Sequence, residues 1–343
     1  MVCKGHLRHY IAQEGVVTVG LYTLKFTGDD LSTGILEKVR TDSIDFEKDL
    51  ENWLENSPNV LLDEDEGSVI WIGRQVTAAV GGSGFYPDLV GIDASGDLVM
   101  VELKKGKTPR EVIAQIMEYA VWGSSLTEEE INQMAQAYYR RDDCDFNKSI
   151  KELYHEAFFP DTDQLPEVEF NRNQKLFIVA EEISPVVQEV ALHLRDKYTV
   201  DISCLEYEVL KSKQGEYFIS TEKIVGFTEV GKRHRINRSP LSRWSEPVKF
   251  KDVIRDAVQK ITGGDKNATF ASSDVYNELL QQYPDINPAS VRCQIIQDCV
   301  NHTSRKHYPS GQQDLYFRID KGVFRLYDPE KDGKWDYKGE RIS

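Results

Sequence analysis

Cysteine is scarce and unpaired in this chain of 343 residues. Cys3, Cys144, Cys204, Cys293 and Cys299 form no C-x-x-C pair, so no disulfide framework is expected. Long apolar runs are missing as well. Nothing approaches the ~18 apolar residues of a membrane span, and the opening MVCKGHLRHY lacks the apolar stretch of a signal peptide. The expectation is a soluble protein of a reducing, intracellular (cytoplasmic) compartment without membrane contact. No G-x-x-x-x-G-K-[ST] occurs, so no nucleotide cofactor is expected, and neither H-E-x-x-H nor G-x-S-x-G is present. Gly81-Gly82-Ser83-Gly84 lacks the phosphate-binding lysine and reads as a loop. Basic residues are outnumbered, 42 Lys+Arg against 57 Asp+Glu, for a net charge of −15. Taken alone, that excess argues against a nucleic-acid coat or a binder of anionic membranes.

What is present suits a folded chain. Hydrophobic residues make up 40% and charged ones 29%, enough for a sizeable core, and the length is that of about two domains. Residues 15–40 alternate apolar and polar positions, as in GVVTVGLYTLKF, and read as one or two strands. In residues 46–55, Phe46, Leu50, Trp53 and Leu54 share a face, which predicts a helix stopped by Ser57-Pro58. Three strand-like runs follow, SVIWIGRQV, DLVGIDA and DLVMVELKK, the last two joined by the turn signal Ser95-Gly96-Asp97. A helix is predicted over 108–122, with Pro109 in its first turn, and Thr127 with Glu130 forms a capping-box pattern for the next. KLFIVAEE reads as a buried strand, Ser184-Pro185 opens a helix, and a hairpin closes around Gln214-Gly215.

Composition shifts at residues 231–249, GKRHRINRSPLSRWSEPVK, a basic, turn-rich stretch expected to be an interdomain linker between domains at 1–230 and 250–343. The second domain reads as three helices and then two strands, DLYFRI and GVFRLY: a helix-turn-helix with a β-wing. It carries 14 basic and 14 acidic residues, leaving 28 basic and 43 acidic before it. The whole −15 therefore lies in residues 1–249.

The stretch from Pro87-Asp88 to Glu102-Leu103-Lys104 is the most informative. On two antiparallel strands joined at 95–97, Asp88 at the start of one and Glu102 near the end of the other stand roughly opposite. Two converging carboxylates make a hard oxygen site suited to Mg²⁺, with Mn²⁺ as substitute. Glu102 and Lys104 are two apart on a strand and share a face, so Lys104 is expected to orient an attacking water or neutralise a phosphate there. The carbonyl of Leu103, between them, is a further candidate ligand. The same string also reads more plainly, as a turn aspartate and a solvated strand end.

The arrangement is identified as the PD-(D/E)xK nuclease motif. Gln115 and Tyr119, four apart on the next helix, resemble the Q-x-x-x-Y motif of RecB-type nucleases, and Glu47 lies on the preceding helix where that fold commonly supplies an acid. The stretch 46–122, including KKGKTPREVIAQIMEYAVW, resembles the nuclease domain of the NucS/EndoMS mismatch endonuclease family, with a motif core at about 45–125 and weaker similarity to about 225. The resemblance implies an α/β restriction-endonuclease-like core, a mixed sheet flanked by helices, and a Mg²⁺-dependent endodeoxyribonuclease. Asp88, Glu102 and Lys104 would be its catalytic residues, with Glu47, Gln115 and Tyr119 in support. The first 40 residues are too short for the DNA-binding domain that the family places ahead of its nuclease. The extra module follows here instead, so mismatch specificity is not carried over.

For residues 250–343 the expectation is an α+β winged-helix domain that contacts DNA, with protein contact as the alternative. Asn287 and Pro288 open its reading helix, which would present Ser290, Arg292, Gln294 and Gln297 to base edges. Arg305 and Lys306 after it, and Arg233 and Arg235 in the linker, would follow the phosphate backbone. Cys293, Cys299, His302 and His307 form a C-x5-C-x2-H-x4-H string. Six helical residues place the two cysteines about 240° apart at ~3.6 residues per turn, so they read as small buried side chains, not zinc ligands. The expected role is a restriction or defence nuclease on double-stranded DNA, with a homodimer as the form that two cuts at two sites would need. A repair nuclease for mismatched or branched DNA and an inactive DNA-binding protein with a nuclease fold are the alternatives.

Overall fold

The computed structural model describes residues 22–27, 30–38, 40–41, 47–62, 68–76, 78–80, 83–85, 87–161, 168–226, 248–284, 286–308 and 313–342. The linker positions Arg233 and Arg235 lie outside these. In chain order the elements are β1 (Tyr22–Thr27), β2 (Asp30–Lys38), β3 (Arg40–Thr41), α1 (Glu47–Asn56), β4 (Val69–Arg74), β5 (Ala78–Val80), β6 (Ser83–Phe85), β7 (Leu89–Asp93), β8 (Leu98–Lys107), α2 (Val112–Ser124), α3 (Glu128–Tyr139) and α4 (Ile150–Phe158). They continue with β9 (Gln174–Glu182), α5 (Pro185–Tyr198), β10 (Ile202–Lys211), β11 (Tyr217–Val225), α6 (Phe250–Thr262), β12 (Thr269–Phe270), α7 (Ser272–Leu280), α8 (Pro288–Gln297), β13 (Tyr316–Asp320) and β14 (Val323–Leu326).

The chain divides into two compact units, residues 1–43 with 208–220, and residues 44–207 with 221–343. In the first, β1 and β2 form an antiparallel hairpin, and β3 pairs with Leu210 and Lys211. The second is mixed α/β. Its main sheet runs β11-β10-β9-β8-β7-β4. The pairings β4–β7 and β7–β8 are antiparallel, while β8–β9 and β9–β10 are parallel.

The turn between β7 and β8 is set by its own sequence. The Asp93 carboxylate accepts the N–H groups of Ser95 and Asp97, both at 2.9 Å, and pairs with Lys175 Nζ at 2.7 Å. This fixes the register Leu89↔Val101. Strand parity then puts Leu98, Met100, Glu102 and Lys104 on one face. That face packs against α2 in a core shared by Ile116, Tyr119, Ile178 and Ala180. Gly123 lets the helix lie this close, since a Cβ there would come within 2.9 Å of the Leu98 and Met100 side chains.

Residues 250–343 lie in the second unit together with residues 44–207. Their inner core, with Phe250, Ile254, Val275, Val291, Ile295 and Phe324, lies under a three-stranded sheet of order β12-β14-β13. The opposite side of α8 sends Cys293 and Ile296, with Tyr308, into the core that also holds Tyr154 and Phe158 of α4. Hydrogen bonds tie the same surfaces. Ser304 Oγ donates to the Glu156 carbonyl and Ser68 Oγ to that of His307, both at 2.6 Å. Asp161 meets His302 Nε2 at 3.1 Å and Arg318 Nη2 at 2.7 Å.

This packing corrects the expected DNA-reading face. A reading helix needs one free face, and α8 is covered on two. Ser290 and Gln294 are buried, and Gln294 donates to Asp298 at 2.7 Å. Arg292 is half-buried with its guanidinium 4.5 Å above the Phe159 ring. Arg305 is 1% exposed, donates to the Val300 carbonyl at 3.2 Å and pairs with Asp314. Gln297 is half-buried, and Lys306 alone of the expected contacts in this segment is exposed. Cys293 and Cys299 are buried as their helical spacing predicted, and burial pushes their thiols up to about 11 and about 12.

Candidate active site

The hairpin delivers its two acids where β7 runs out. One step beyond the pair Leu89↔Val101, Asp88 and Glu102 face each other on the α2 side of the sheet. Asp88 is anchored through its backbone and side chain. Its N–H donates to the Val101 carbonyl at 3.1 Å, and its Oδ2 accepts the Leu103 N–H at 2.7 Å. A strand residue turns its N–H and C=O to the same side, so the Leu103 carbonyl is aimed past the end of β7 as well.

Glu102 is 2% exposed and holds a partner on each oxygen: Oε1 pairs with Lys104 Nζ, and Oε2 accepts the Tyr119 hydroxyl at 2.8 Å. Tyr119 therefore belongs to the site, held there by α2. The same burial and carboxylates push its hydroxyl pKa up, which keeps it a donor. Gln115, one turn earlier, is half-buried on that helix. Lys104 pairs with Glu102, and its side chain is 22% exposed, so it reaches both Glu102 and solvent.

Burial raises Asp88 to about 8, with the Glu102 and Glu51 carboxylates adding to the shift and the Leu103 N–H and Lys104 opposing it. Glu51 is the acid that sequence reasoning missed. The side chain of Glu47 lies outside the described residues, while Glu51, one turn on in α1, is 3% exposed. Arg74 donates to its Oε2 from Nε at 2.9 Å and from Nη2 at 2.7 Å. Gln75 Nε2 approaches its Oε1 at 3.3 Å, and the Gln75 N–H donates to the Asp88 carbonyl at 3.0 Å. Gln75 holds this double contact at φ +49°, a left-handed conformation that costs a non-glycine residue energy. The helical interval 47, 51, 55 was the available signal for Glu51.

The sequence motif implies a divalent cation at these residues. Among the described residues no three His, Cys, Asp or Glu side chains form a metal cluster. What converges is two carboxylates and one carbonyl, all hard oxygens, on the open edge of a strand pair. That set fits a cation such as Mg²⁺, which keeps several waters and takes only one or two carboxylates from the protein.

Residues 249–326 match a family model described as "Domain of unknown function (DUF7669)". No curated protein matches the chain by sequence. Among solved structures, a repair endonuclease from Pyrococcus abyssi is similar at 17% identity and a TM-score of 0.27, over 48% of this chain and 49% of its own. A complex of EndoMS with double-stranded DNA is similar at 13% identity and a TM-score of 0.25, over 55% of this chain and 65% of that one. The chain thus spans about half of the first of these proteins and 65% of the second. Among the described residues no helix is long and apolar enough to cross a membrane.

Proposed function

We propose that the chain is a metal-dependent endodeoxyribonuclease. The observation that carries this reading is the convergence of Asp88, Glu102 and Lys104 at one strand edge, with Tyr119 donating to Glu102. Asp88, Glu102 and the Leu103 carbonyl would hold Mg²⁺ or Mn²⁺. Bound there, such an ion supplies Lewis-acid polarisation of a phosphate and an acidified water. Lys104 orients the attacking water and offsets charge on the phosphate in the transition state. Tyr119 fixes the orientation of Glu102, as a hydrogen-bond partner behind a ligand commonly does. Glu51, clamped by Arg74 and Gln75, holds further negative charge near Asp88, and Gln115 supports the motif from α2.

The C-terminal order helix–strand–helix–helix–strand–strand supports the winged-helix reading. With α8 covered on two sides, the module serves this reading as a part built onto the nuclease. The restriction role rested on a free reader, so it now has no observation of its own. A repair nuclease for mismatched or branched DNA is supported equally by the site. Cutting both strands at one place takes two sites, which makes a homodimer part of the restriction reading.

The test incubates wild type, Asp88→Asn and Lys104→Ala with supercoiled plasmid and with matched, mismatched, branched and base-modified duplexes, in Mg²⁺, Mn²⁺ or chelator. Wild type is expected to nick or linearise DNA with metal only, and both variants to be inert. A wild type that cuts none of these forms refutes the nuclease reading.

A further inference from the structure

Beyond Lys104 the pairing of β8 with β9 changes step. Lys104 pairs with Ala180 and Lys107 with Glu182, so Lys105 and Gly106 together stand opposite the single residue Glu181. This is a β-bulge, and Gly106 absorbs it at φ +67°, where a side chain would be strained. The bulge has a consequence for facing. Paired residues of neighbouring strands share a face, and Ala180 and Glu182, two apart, share one as well. Lys107 is thereby returned to the face of Glu102 and Lys104, a position that an unbroken strand denies to a residue three further on.

Helix α2 then runs back along the same face, since Tyr119 touches Glu102 and Gly123 lies against Leu98 and Met100. Arg110, just before its first turn, stands at the far end of the row, past Lys107. Residues 104–110, KKGKTPR, hold four cations and no carboxylate in a chain of net charge −15. Lys105, Lys107 and Arg110 are all exposed, with Glu111, Glu181 and Glu182 as exposed acids beside them. Lys107 Nζ meets Glu182 Oε1 at 2.5 Å, and both side chains are more than half exposed. An ion pair so open to solvent contributes little and yields to a phosphate.

The geometry points to a backbone-binding strip: Lys107 and Arg110 from this face, with Lys105 from the opposite face of β8 beyond the end of its pairing with β7, hold the sugar–phosphate backbone of the nucleic-acid strand that passes through the Asp88–Glu102–Lys104 site. The inference rests on the nuclease reading above. Lys107 lies roughly 7 Å beyond Lys104, two residue steps of β9 at about 3.3 Å each, which is about two nucleotides of one strand at ~3.4 Å each. The strip contributes position along the strand without reading bases, because ammonium and guanidinium groups facing a backbone carry no sequence information.

The experiment compares the full-length wild type with Lys105→Ser/Lys107→Ser/Arg110→Ser and with Lys105→Arg/Lys107→Arg. A control of equal charge change, Lys321→Ser/Lys331→Ser/Lys338→Ser, alters exposed lysines of the C-terminal module. Duplex cleavage kinetics are measured from 50 to 200 mM salt, with thermal melts as a folding check. The triple serine variant is expected to raise KM about tenfold with kcat within twofold. Its dependence of log KM on log salt should flatten by about 3, at ~0.9 per phosphate contact. The arginine variant and the control should behave as wild type. A folded triple variant with wild-type KM and salt slope overturns the strip alone. A wild type inert on every DNA form overturns the nuclease reading and the strip with it.

Discussion

The hydroxyl of Tyr119 donates to Oε2 of Glu102 at 2.8 Å, while Lys104 holds the other oxygen of the same carboxylate. One residue comes from the helix that covers the sheet, the other from its central strand, so the packing of α2 sets the orientation of a candidate ligand. Tyr119→Phe removes that donor from a buried carboxylate and changes little else. The expected result is a 10–100-fold weaker apparent metal affinity, read as a shift of the Mg²⁺ titration of DNA cleavage. Stability should fall by about 1 kcal/mol for the lost buried hydrogen bond. An unshifted Mg²⁺ titration would mean that Tyr119 is only a core residue.

Asp161 joins the C-terminal module to the sheet-bearing part through His302 and Arg318. Although burial pushes its carboxyl up, the hydrogen bond and charge of His302, with Arg318, hold it below the usual range. Asp161→Ala leaves both partners buried or half-buried without their acceptor, and breaking such a pair costs about 3–5 kcal/mol. Thermal unfolding should shift down by several degrees. Because Cys293, Ile296 and Tyr308 share a core with Tyr154 and Phe158, residues 44–207 and 221–343 should melt in one transition. Two separated calorimetric peaks from them would contradict the shared core.

The turn of the hairpin makes a pH prediction. Burial, helped by the Asp93 carboxylate, raises Asp97 to about 6 from an ordinary 3.8. A raised carboxyl binds its proton more tightly in the fold than in the unfolded chain, so its contribution to stability declines as pH rises. The decline begins near pH 4 and is complete a little above pH 6. Asp97→Asn keeps an acceptor for Asn173, which approaches Oδ1 through its side-chain amide at 3.1 Å. The variant should therefore be more stable than wild type by about 1–3 kcal/mol at pH 7.5, with the gain gone by pH 4. Urea melts across that range check it. A gain independent of pH would refute the assignment.

The parts of the site legible in sequence were those fixed by the shortest rules. The i, i+2 alternation of Glu102 and Lys104, the turn at 95–97 and the i, i+4 spacing of Gln115 and Tyr119 depend on local geometry, and the structure brings Tyr119 onto Glu102 as that spacing allowed. What failed depends on partners distant in the chain. Polar Ser290 and Gln294 were expected on an exposed reading face, and Arg305 along the phosphate backbone. Gln294 and Arg305 instead close hydrogen bonds within the module, to Asp298 and the Val300 carbonyl, while Cys293 and Ile296 of the same helix share a core with Tyr154 and Phe158. Helix α4 was missed although its capping box, Ser149 with Glu152, stands in the sequence. The bulge at Lys105 and Gly106 has no periodic signature, since it is a break in one.

The acid of α1 is the remaining test of how the site is completed. The sequence placed it at Glu47, and the structure buries Glu51 with Arg74 and Gln75 around it. Glu51 is close enough to Asp88 to help raise its carboxyl. Glu51→Gln keeps the shape and one acceptor for Arg74 but removes a charge from the acidic cluster. Cleavage should fall at least tenfold at low Mg²⁺ and recover in part at high Mg²⁺, because lost negative charge weakens cation binding. Glu47→Gln should leave the Mg²⁺ titration within twofold of wild type. Equal defects in the two variants would mean that α1 acts through its general charge. A defect in Glu47→Gln alone would restore the residue first expected.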